Sequence, residues 1–317
     1  MSTELNLPQG LLNWLTDFRA MWAEMGDTEG EGPYSMWTQS IDSKGESRIS
    51  WAWLANQPKL RKWLGARIAK NPRLYKQEMG YDDWEGTMKL QRGLVDHDKT
   101  GAVKAMIDQY LRQIDAYDSA IAASMDSASG AGPTGFDGAA LISASHPHSS
   151  SGGNQSNIAA GTALSHAALA AAEAAGMLFT QENGTPTMTQ YTLIRGGPLL
   201  KNRMLELVSA DRLVAVANDG LEAGTRVAAA TRSNTFSGRL KVQVDPRVTT
   251  RFWDLIDENK VAKPMVLFKV KAPTPVLRVD PTDPDVFNHK EYTFGVEAQF
   301  GVAAGHWHTI FRGTGTA

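Results

Sequence analysis

One long apolar stripe, in the segment DHDKTGAVKAMIDQYLRQIDAYDSAIAASM (96–125), constrains the fold of this chain more than any other feature. Its apolar residues recur about every 3.5 positions, which is typical of the buried face of a helix. They are Val103, Met106, Ile107, Tyr110, Leu111, Ile114, Tyr117, Ile121 and Met125. Asp96 or Asp98 can cap the start of the helix, and the segment SASGAGPTG ends it. At about 1.5 Å per residue, the predicted helix is longer than most domain helices.

Two alternating runs precede this helix and predict a long β-hairpin. The runs are RLYKQEMGY (73–81) and WEGTMKLQR (84–92), joined by Asp82 and Asp83. Apolar and charged side chains interleave on both faces, with Tyr75, Met79, Trp84 and Met88 as the large apolar members. A two-stranded hairpin is marginally stable by itself. The hairpin therefore needs a further surface to lie against.

Large aromatic residues are concentrated near the N-terminus. Seven of the nine tryptophans lie within the first 84 residues, at positions 14, 22, 37, 51, 53, 63 and 84. The segment 11–25 has the apolar spacing of a helix, and the polar segment GDTEGEGPYS follows it. These tryptophans either form a small N-terminal core or cover neighbouring subunits, because buried aromatics dominate interface energies. We favour the second interpretation.

The rest of the chain predicts a mixture of helices and strands. Asn183-Gly184 marks a turn, and Ser165 is the expected N-cap of an alanine-rich helix. The predicted helices span 58–69, 166–177 and 198–209, and the predicted strands span 264–271, 291–300 and 306–312.

The segment LISASHPHSSSGGNQSN (141–157) raises the possibility of a catalytic or metal site. His146 and His148 could begin a zinc site, and Ser143 or Ser145 could be a nucleophile beside a histidine base. The HExxH and GxSxG patterns that would support these readings are absent from the sequence. A polar surface loop is therefore the preferred interpretation.

Other patterns exclude several classes of protein. The charges of the 32 basic and 34 acidic residues nearly cancel. A protein dedicated to binding nucleic acid usually has a clear excess of basic residues. The chain lacks cysteine, an apolar run long enough for a bilayer and an export signal. We expect a soluble cytoplasmic product from which no propeptide was removed. His306 and His308 are expected on one face of a sheet strand, at the rim of the sheet. Since none of the candidate motifs has the pattern of an active site or a metal site, we predict no catalytic residue, no cofactor and no metal.

Four segments resemble the Mu-like prophage major head subunit family of tailed phages. They are WAWLANQPKLRKWLGAR (51–67), YDDWEGTMKLQRGLVDHDKTG (81–101), FDGAALISASHPHSSSGGNQSN (136–157) and DPDVFNHKEYTFGVEAQFGVAAGHWHTI (283–310), in the family's order. The chain departs from the family at Leu141-Ile142, where an aromatic is expected, and at His148, where asparagine is expected.

This resemblance implies an α+β class, with the HK97-like capsid fold. The implied parts are an N-terminal arm (1–56), an extended hairpin loop (57–95), the spine helix of a peripheral domain (96–133), an axial domain (134–260) and C-terminal strands of the peripheral domain (261–317). The resemblance also implies inter-subunit contacts, and the residues expected to make them are Trp51, Trp53, Trp63, Tyr75, Met79, Trp84 and Met88.

As such a capsid protein, the chain would not be an enzyme. It would form hexamers and pentamers of an icosahedral virion shell assembled in the host bacterial cytoplasm. Its partners would be a separate scaffolding protein, a portal, possible decoration proteins, and double-stranded DNA bound without sequence specificity. It would not bind a membrane. The alternatives are an encapsulin-like compartment shell, a soluble hydrolase that uses His146 or His148, and another virion protein such as a tail component.

Overall fold

The computed structural model describes residues 16, 33–55, 62, 73–97, 101–113, 116–126, 130–147, 153–214, 231–280 and 282–315. Most of the predicted helices at 11–25 and 58–69 lies outside these residues, as do Trp63 and His148. In the described ranges the chain has an α+β fold, with two larger sheets and two short ribbons.

The helices of the described residues are short to medium in length. They are α1 (Arg92–Asp96), α2 (Ala102–Gln113), α3 (Ala116–Met125), α4 (His166–Leu178), α5 (Lys201–Ser209) and α6 (Pro284–His289), with 3-10 helices at Ser35–Trp37, Pro198–Leu200 and Trp307–Thr309. The predicted long helix corresponds to α2 and α3, between which residues 114 and 115 are outside the described part. Asp96 is the last residue of α1 rather than a cap of the long helix.

Thirteen strands occur in the described part of the chain. They are β1 (Thr38–Asp42), β2 (Ile49–Ala55), β3 (Arg73–Met79), β4 (Asp82–Gln91), β5 (Ile158–Ala159), β6 (Leu193–Gly196), β7 (Arg212–Val214), β8 (Thr231–Ser233), β9 (Lys241–Val244), β10 (Trp253–Ile256), β11 (Met265–Arg278), β12 (Glu291–Ala304) and β13 (Ile310–Gly313).

A four-stranded sheet has the order β1-β11-β12-β4, in which β1 runs parallel to β11 and the other pairs are antiparallel. Helix α3 packs on this sheet through Tyr117, whose ring meets Phe300 edge-on with centroids 4.9 Å apart. Ala120 extends this contact toward Leu267 and Ala298. The apolar stripe of α3 therefore places the predicted long helix on β11 and β12.

The predicted pairing of the two alternating runs is wrong. β3 pairs with β2, from Ile49 opposite Met79 to Ala55 opposite Arg73. β4 instead pairs along its whole length with β12, from Gln91 opposite Glu291. Alternation shows that a strand has two different faces, but it contains no information about which strand lies beside it. β4 gains a partner in a larger sheet, while β2 and β3 form a ribbon.

The five-stranded sheet has the order β5-β13-β10-β6-β9 and contains part of the main hydrophobic core. Residues 193–196, 253–256 and 310–313 are buried throughout. The last strand, β13, belongs to this sheet and not to the four-stranded one, since it pairs with β10 and β5. The reason is that the chain turns after β12, where Gly305 donates to the Pro264 carbonyl, and then enters a 3-10 helix.

Several local predictions are confirmed. Ser165 caps α4 by accepting a hydrogen bond from the amide of Ala168. Gly184 has a φ of +71°, and the Asn183 side chain accepts from the amide of Thr185, as expected of a turn. The helix predicted at 198–209 is a 3-10 turn followed by α5.

Candidate assembly surfaces and buried polar networks

The first histidine of the serine-rich segment lies inside the protein. The His146 side chain is completely buried and stacks on Trp307, with ring centroids 4.0 Å apart. Its Nδ1 lies 2.7 Å from Asp137 Oδ2, and its Nε2 lies 3.2 Å from Asn157 Oδ1. The preferred reading of a polar surface loop is therefore wrong for His146, although the neighbouring Ser145 is exposed.

Asn157 explains why this segment is ordered around His146. Its side-chain amide donates to the carbonyls of Leu141 and Trp307, and its oxygen accepts from the amide of Ser143. Asn157 is itself fully buried. These bonds satisfy polar groups that would be costly to bury alone, so the Asp137–His146–Asn157 arrangement holds the segment against the 3-10 helix at 307–309.

The arrangement does not have the geometry of a catalytic triad. The Ser143 hydroxyl accepts from the amide of Ser145, and the Ser145 hydroxyl accepts from Asn154. In the described ranges, neither hydroxyl is hydrogen-bonded to His146. A catalytic base must lie within reach of its nucleophile and of the substrate. His146 bonds to neither serine hydroxyl and is buried, so it does not meet these conditions.

The HWH segment also differs from its predicted form. Residues 307–309 form a 3-10 helix rather than a strand, so His306 and His308 do not share a sheet face. Trp307 stacks on His308 with centroids 3.6 Å apart as well as on His146. Burial, and next the neighbouring His308, holds the pKa of His306 well below its usual value. Among the described residues, no group of three histidine or acidic side chains could hold a metal ion.

Two buried arginines form an ionic network that the sequence analysis did not identify. Arg312 binds Asp254 at both carboxylate oxygens, with Nε–Oδ1 and Nη2–Oδ2 distances of 2.6 and 2.8 Å. Arg195 Nη1 donates to Asp254 Oδ2 at 2.8 Å. The three residues lie inside β13, β10 and β6, and all three are buried.

The network extends from this sheet to the end of α3. Asp126 directly follows α3 and accepts from both Arg195 and Arg312. Arg195 also donates to Asp245 at 3.0 Å and to the Tyr34 hydroxyl at 3.2 Å. The network therefore joins the end of α3, the five-stranded sheet and the segment that precedes β1.

The two arginines favour the charged form of Asp254. Burial alone would raise the pKa of the Asp254 carboxyl, but Arg312 and then Arg195 outweigh burial, so that pKa lies below its usual value. The available signal in the sequence is a charged residue inside each of the apolar runs LIRG, WDLI and IFRG. Such a residue in a fully buried strand requires a partner of opposite charge.

The predicted contact residues have different environments. Trp51, Trp53 and Tyr75 belong to the β2–β3 ribbon, where Trp53 is opposite Tyr75. Met79 is 4 % exposed and packs inside its own subunit, which leaves little of it for a neighbour. Trp84 is 40 % exposed and stacks on Phe300 at 5.0 Å.

Met88, the remaining described member of that set, is half-buried opposite Phe294 of β12. Other large apolar side chains, outside that set, are exposed. They include Leu94, Met177, Leu178, Met188, Leu199, Val261 and Phe287. Exposed apolar side chains that cluster are candidates for assembly contacts.

In the part of the chain that the structure describes, no helix is long and apolar enough to cross a membrane.

Comparison with known proteins identifies similar sequences and folds. A family model described as Mu-like prophage major head subunit gpT matches residues 15–192 and 222–316. No curated protein sequence matches the chain.

Several solved structures from phages and phage-like particles share the fold. The capsid chain of bacteriophage JBD30 has a TM-score of 0.50 and 11 % identity, over 89 % of this chain and 64 % of that one. This chain thus spans less than two thirds of the JBD30 chain. Microbacterium phage Oxtober96 has a TM-score of 0.52 and 12 % identity, and the capsid of a native GTA particle has 0.53 and 13 %, each over 90 % of both chains. The common fold is the HK97-like capsid fold.

Proposed function

Because the chain belongs to the Mu-like prophage major head subunit gpT family, it is a phage major capsid protein, and we propose that its copies form the hexamers and pentamers of an icosahedral shell around double-stranded DNA. The family match over most of the chain is the observation that carries this proposal. Homo-oligomeric capsid assembly and a location in the virion capsid follow from the family. Assembly in the host cytoplasm is part of the proposal.

The β2–β3 ribbon supports assembly by extended contacts. In the described residues its two strands pair only with each other, and a two-stranded ribbon is marginal when isolated. The ribbon therefore lies across a neighbouring subunit in our proposal. Its contacts, together with those of the adjoining strand β4, come from Trp51, Trp53, Trp63, Tyr75, Trp84 and Met88.

The proposed division into domains follows the two larger sheets. The peripheral domain comprises α2, α3 and the four-stranded sheet, and the axial domain is built on the five-stranded sheet, which includes β13. The extended loop (57–95) has its stem in β2 and β3, so its stem begins within the segment assigned to the N-terminal arm (1–56). The Arg195–Asp126 and Arg312–Asp126 contacts support a fixed junction between the two domains.

The proposed partners are a separate scaffolding protein, a portal and possible decoration proteins. The near balance of 32 basic and 34 acidic residues supports weak, non-specific contact with packaged DNA rather than tight binding. The encapsulin-like alternative is not favoured, because the matching family is a phage head family. The hydrolase alternative is not favoured either, because His146 is buried and hydrogen-bonded within the fold.

Negative-stain electron microscopy tests this function. The chain is expressed alone, and then together with the neighbouring genes of its prophage. We expect closed icosahedral particles with the neighbouring genes and few without them, and nuclease-protected DNA in particles from induced cells. Small uniform oligomers under both conditions would contradict a shell protein, whereas particles filled with a docked enzyme would support the compartment alternative.

A further inference from the structure

The hydrogen bonds around His146 bear on its charge. The two nitrogens of its ring lie against two different oxygens: Nδ1 is 2.7 Å from Asp137 Oδ2, and Nε2 is 3.2 Å from Asn157 Oδ1. A neutral imidazole has one N–H donor and one acceptor nitrogen, whereas an imidazolium has two N–H donors. The protonation of His146 therefore depends on whether both of these oxygens can only accept.

The Asn157 oxygen can only accept, because other bonds set the orientation of the side-chain amide. Its Nδ2 donates to the carbonyls of Leu141 and Trp307 at 2.7 and 3.2 Å, and its Oδ1 accepts from the Ser143 amide at 2.8 Å. A flipped amide would place its oxygen against two carbonyl oxygens and its NH2 group against an N–H donor. Oδ1 therefore faces the ring, and Nε2 needs a proton to bond to it.

The Asp137 carboxylate favours a second proton, on Nδ1. Its Oδ1 accepts from the Ala139 amide at 3.1 Å, which favours the ionised carboxylate. Its Oδ2 accepts from Nδ1 at 2.7 Å, a distance typical of a charge-assisted hydrogen bond. The His146 ring also lies within 4° of parallel to the Trp307 indole, at a centroid distance of 4.0 Å. The face of an indole attracts a cation in this position.

Few other charges surround the ring. The other titratable groups on the elements packed around it are Glu182, Asp257, His306 and His308. Burial, followed by the neighbouring His308, holds the pKa of His306 well below its usual value, so His306 is neutral. The Asp257 carboxylate accepts from the Gln190 amide at 2.9 Å. Among the described residues, Asp137 is the charged group that bonds to the ring.

From this geometry we propose that Asp137, His146 and Asn157 form a clamp that requires a charged His146, and that the clamp opens in alkaline solution as His146 loses a proton. Without the Nε2 proton, a lone pair of the ring would face the Asn157 oxygen. The paired backbone amides of His146 and Gln155, with N–O distances of 2.8 and 3.0 Å, would then separate. This opening would free both parts of the segment from the 3-10 helix at 307–309.

The direction of the pH effect follows from proton binding. The closed clamp holds a proton that an open or unfolded chain loses above about pH 6.5. The stabilisation by the clamp is therefore complete below that pH and decreases as pH rises. Because the clamp lies within one subunit, this inference goes beyond the proposed function and does not depend on it.

Nitrogen-15 NMR of the histidine rings in the full-length subunit tests the charge. At about pH 7.5, where an ordinary histidine is about nine-tenths neutral, we expect protons on both ring nitrogens of His146. Comparison with His146→Gln and His308→Gln assigns the signals. Asp137→Asn removes the carboxylate but keeps an oxygen for the Ala139 amide, and it should leave the ring with one proton at this pH. A wild-type ring with one unprotonated nitrogen at about pH 7.5 would overturn the inference.

Hydrogen exchange of the same subunit tests the opening. After correction for faster intrinsic exchange in base, the opening equilibrium of the His146 and Gln155 amides should rise about tenfold per pH unit above about pH 7.5, because opening releases one proton. The amides of β10 should open far less often at each pH, which would show that the sheet stays folded.

Two histidine variants separate the clamp from other effects of pH. His146→Gln should abolish the rise in opening with pH. His308→Gln is the matched control, because it removes the other histidine that stacks on Trp307 and should leave the rise in place. Opening that does not change with pH in the wild type, or that rises equally in His146→Gln, contradicts the clamp. Absence of shells in the microscopy experiment would count against the proposed function alone.

Discussion

Arg312 and Asp254 form a bidentate ion pair in the middle of the five-stranded sheet, at 2.6 and 2.8 Å, and both side chains are essentially inaccessible to solvent. β10 and β13 are adjacent antiparallel strands in which Asp254 is directly opposite Arg312. The strand register therefore brings these two charges together. Asp126 binds the same guanidinium and links the pair to the end of α3.

Asp254→Asn should destabilise the subunit by about 3 to 5 kcal/mol, because it leaves two buried guanidinium groups without their shared carboxylate. The exposed Arg203–Glu206 pair, at 2.8 Å, provides the control: Glu206→Gln should cost less than about 1 kcal/mol. Urea unfolding of unassembled subunits measures both values. Equal effects of the two substitutions would contradict a structural role for the network.

The Asp254 network also predicts acid sensitivity. Since the pKa of Asp254 is lower in the folded subunit than its ordinary value, its contribution to stability is present above that ordinary value. The contribution is lost as pH falls through the lower folded pKa. Between neutral pH and pH values below about 4, the stability difference between the wild type and Asp254→Asn should therefore shrink, as measured by thermal unfolding.

Asp118 should behave in the opposite way. It lies on the helical stripe of Ile121, Ala122 and Met125, is 7 % exposed, and burial raises its pKa to about 6. A raised pKa favours the folded state at low pH, and this advantage is lost as pH rises through about 6. At pH values near 8, Asp118→Asn should stabilise the subunit by about 1 to 2 kcal/mol, and near pH 4 it should have little effect.

Asp42→Asn is the matched control for this prediction, because Asp42 is exposed on β1. Its effect on thermal unfolding should be small at both pH values. A loss of stability from Asp118→Asn at high pH would show that the carboxylate has a stabilising partner in its charged form.

His146→Ala should destabilise the subunit by about 2 to 3 kcal/mol, since it removes the stack on Trp307 and leaves polar groups of Asp137 and Asn157 without their partner. Ala144→Ser, at an exposed position of the same segment, should change stability by less than about 0.5 kcal/mol. Differential scanning calorimetry compares the two. Unchanged stability with loss of a hydrolytic activity would instead favour a catalytic His146.

Gly301→Ala should cost about 2 to 3 kcal/mol, because a Cβ at Gly301 would lie 2.0 Å from the Gly80 carbonyl oxygen. The chain passes over β12 at this point on its way from the ribbon into β4. A Cβ at Gly80 meets no atom within 4 Å, so Gly80→Ala should change stability by less than about 1 kcal/mol. Chemical denaturation distinguishes the two variants, and similar losses would show that the close approach is not the cause.

The ribbon contacts predict a defect in assembly without a defect in folding. A double Trp53→Ala and Tyr75→Ala variant, altered at one paired position of β2 and β3, should lower shell yield by about tenfold or more while the subunit remains folded. Sedimentation and far-ultraviolet circular dichroism measure the two properties. Normal shells from this variant would show that the ribbon does not need these aromatics to contact a neighbour.

Local sequence patterns predicted the elements that depend on neighbours along the chain. Serine followed by an alanine-rich run predicted the cap and extent of α4, and Asn183-Gly184 predicted its turn. The order of four motifs predicted the family and the HK97-like fold. These features rest on helix periodicity, capping and backbone preferences, which act over a few residues.

Contacts between distant residues depend on how the elements pack, which no local pattern specifies. β4 was expected beside β3 but pairs with β12, and His146 was expected at the surface but is buried against Trp307, a residue far along the chain. The charges of Arg195 and Arg312 are tolerated because strand register places Asp254 between them. Helix caps, turns and family motifs are short-range features and can be read from the residues alone. Strand partners and buried charge pairs depend on long-range packing, in which many pairings satisfy the same local pattern.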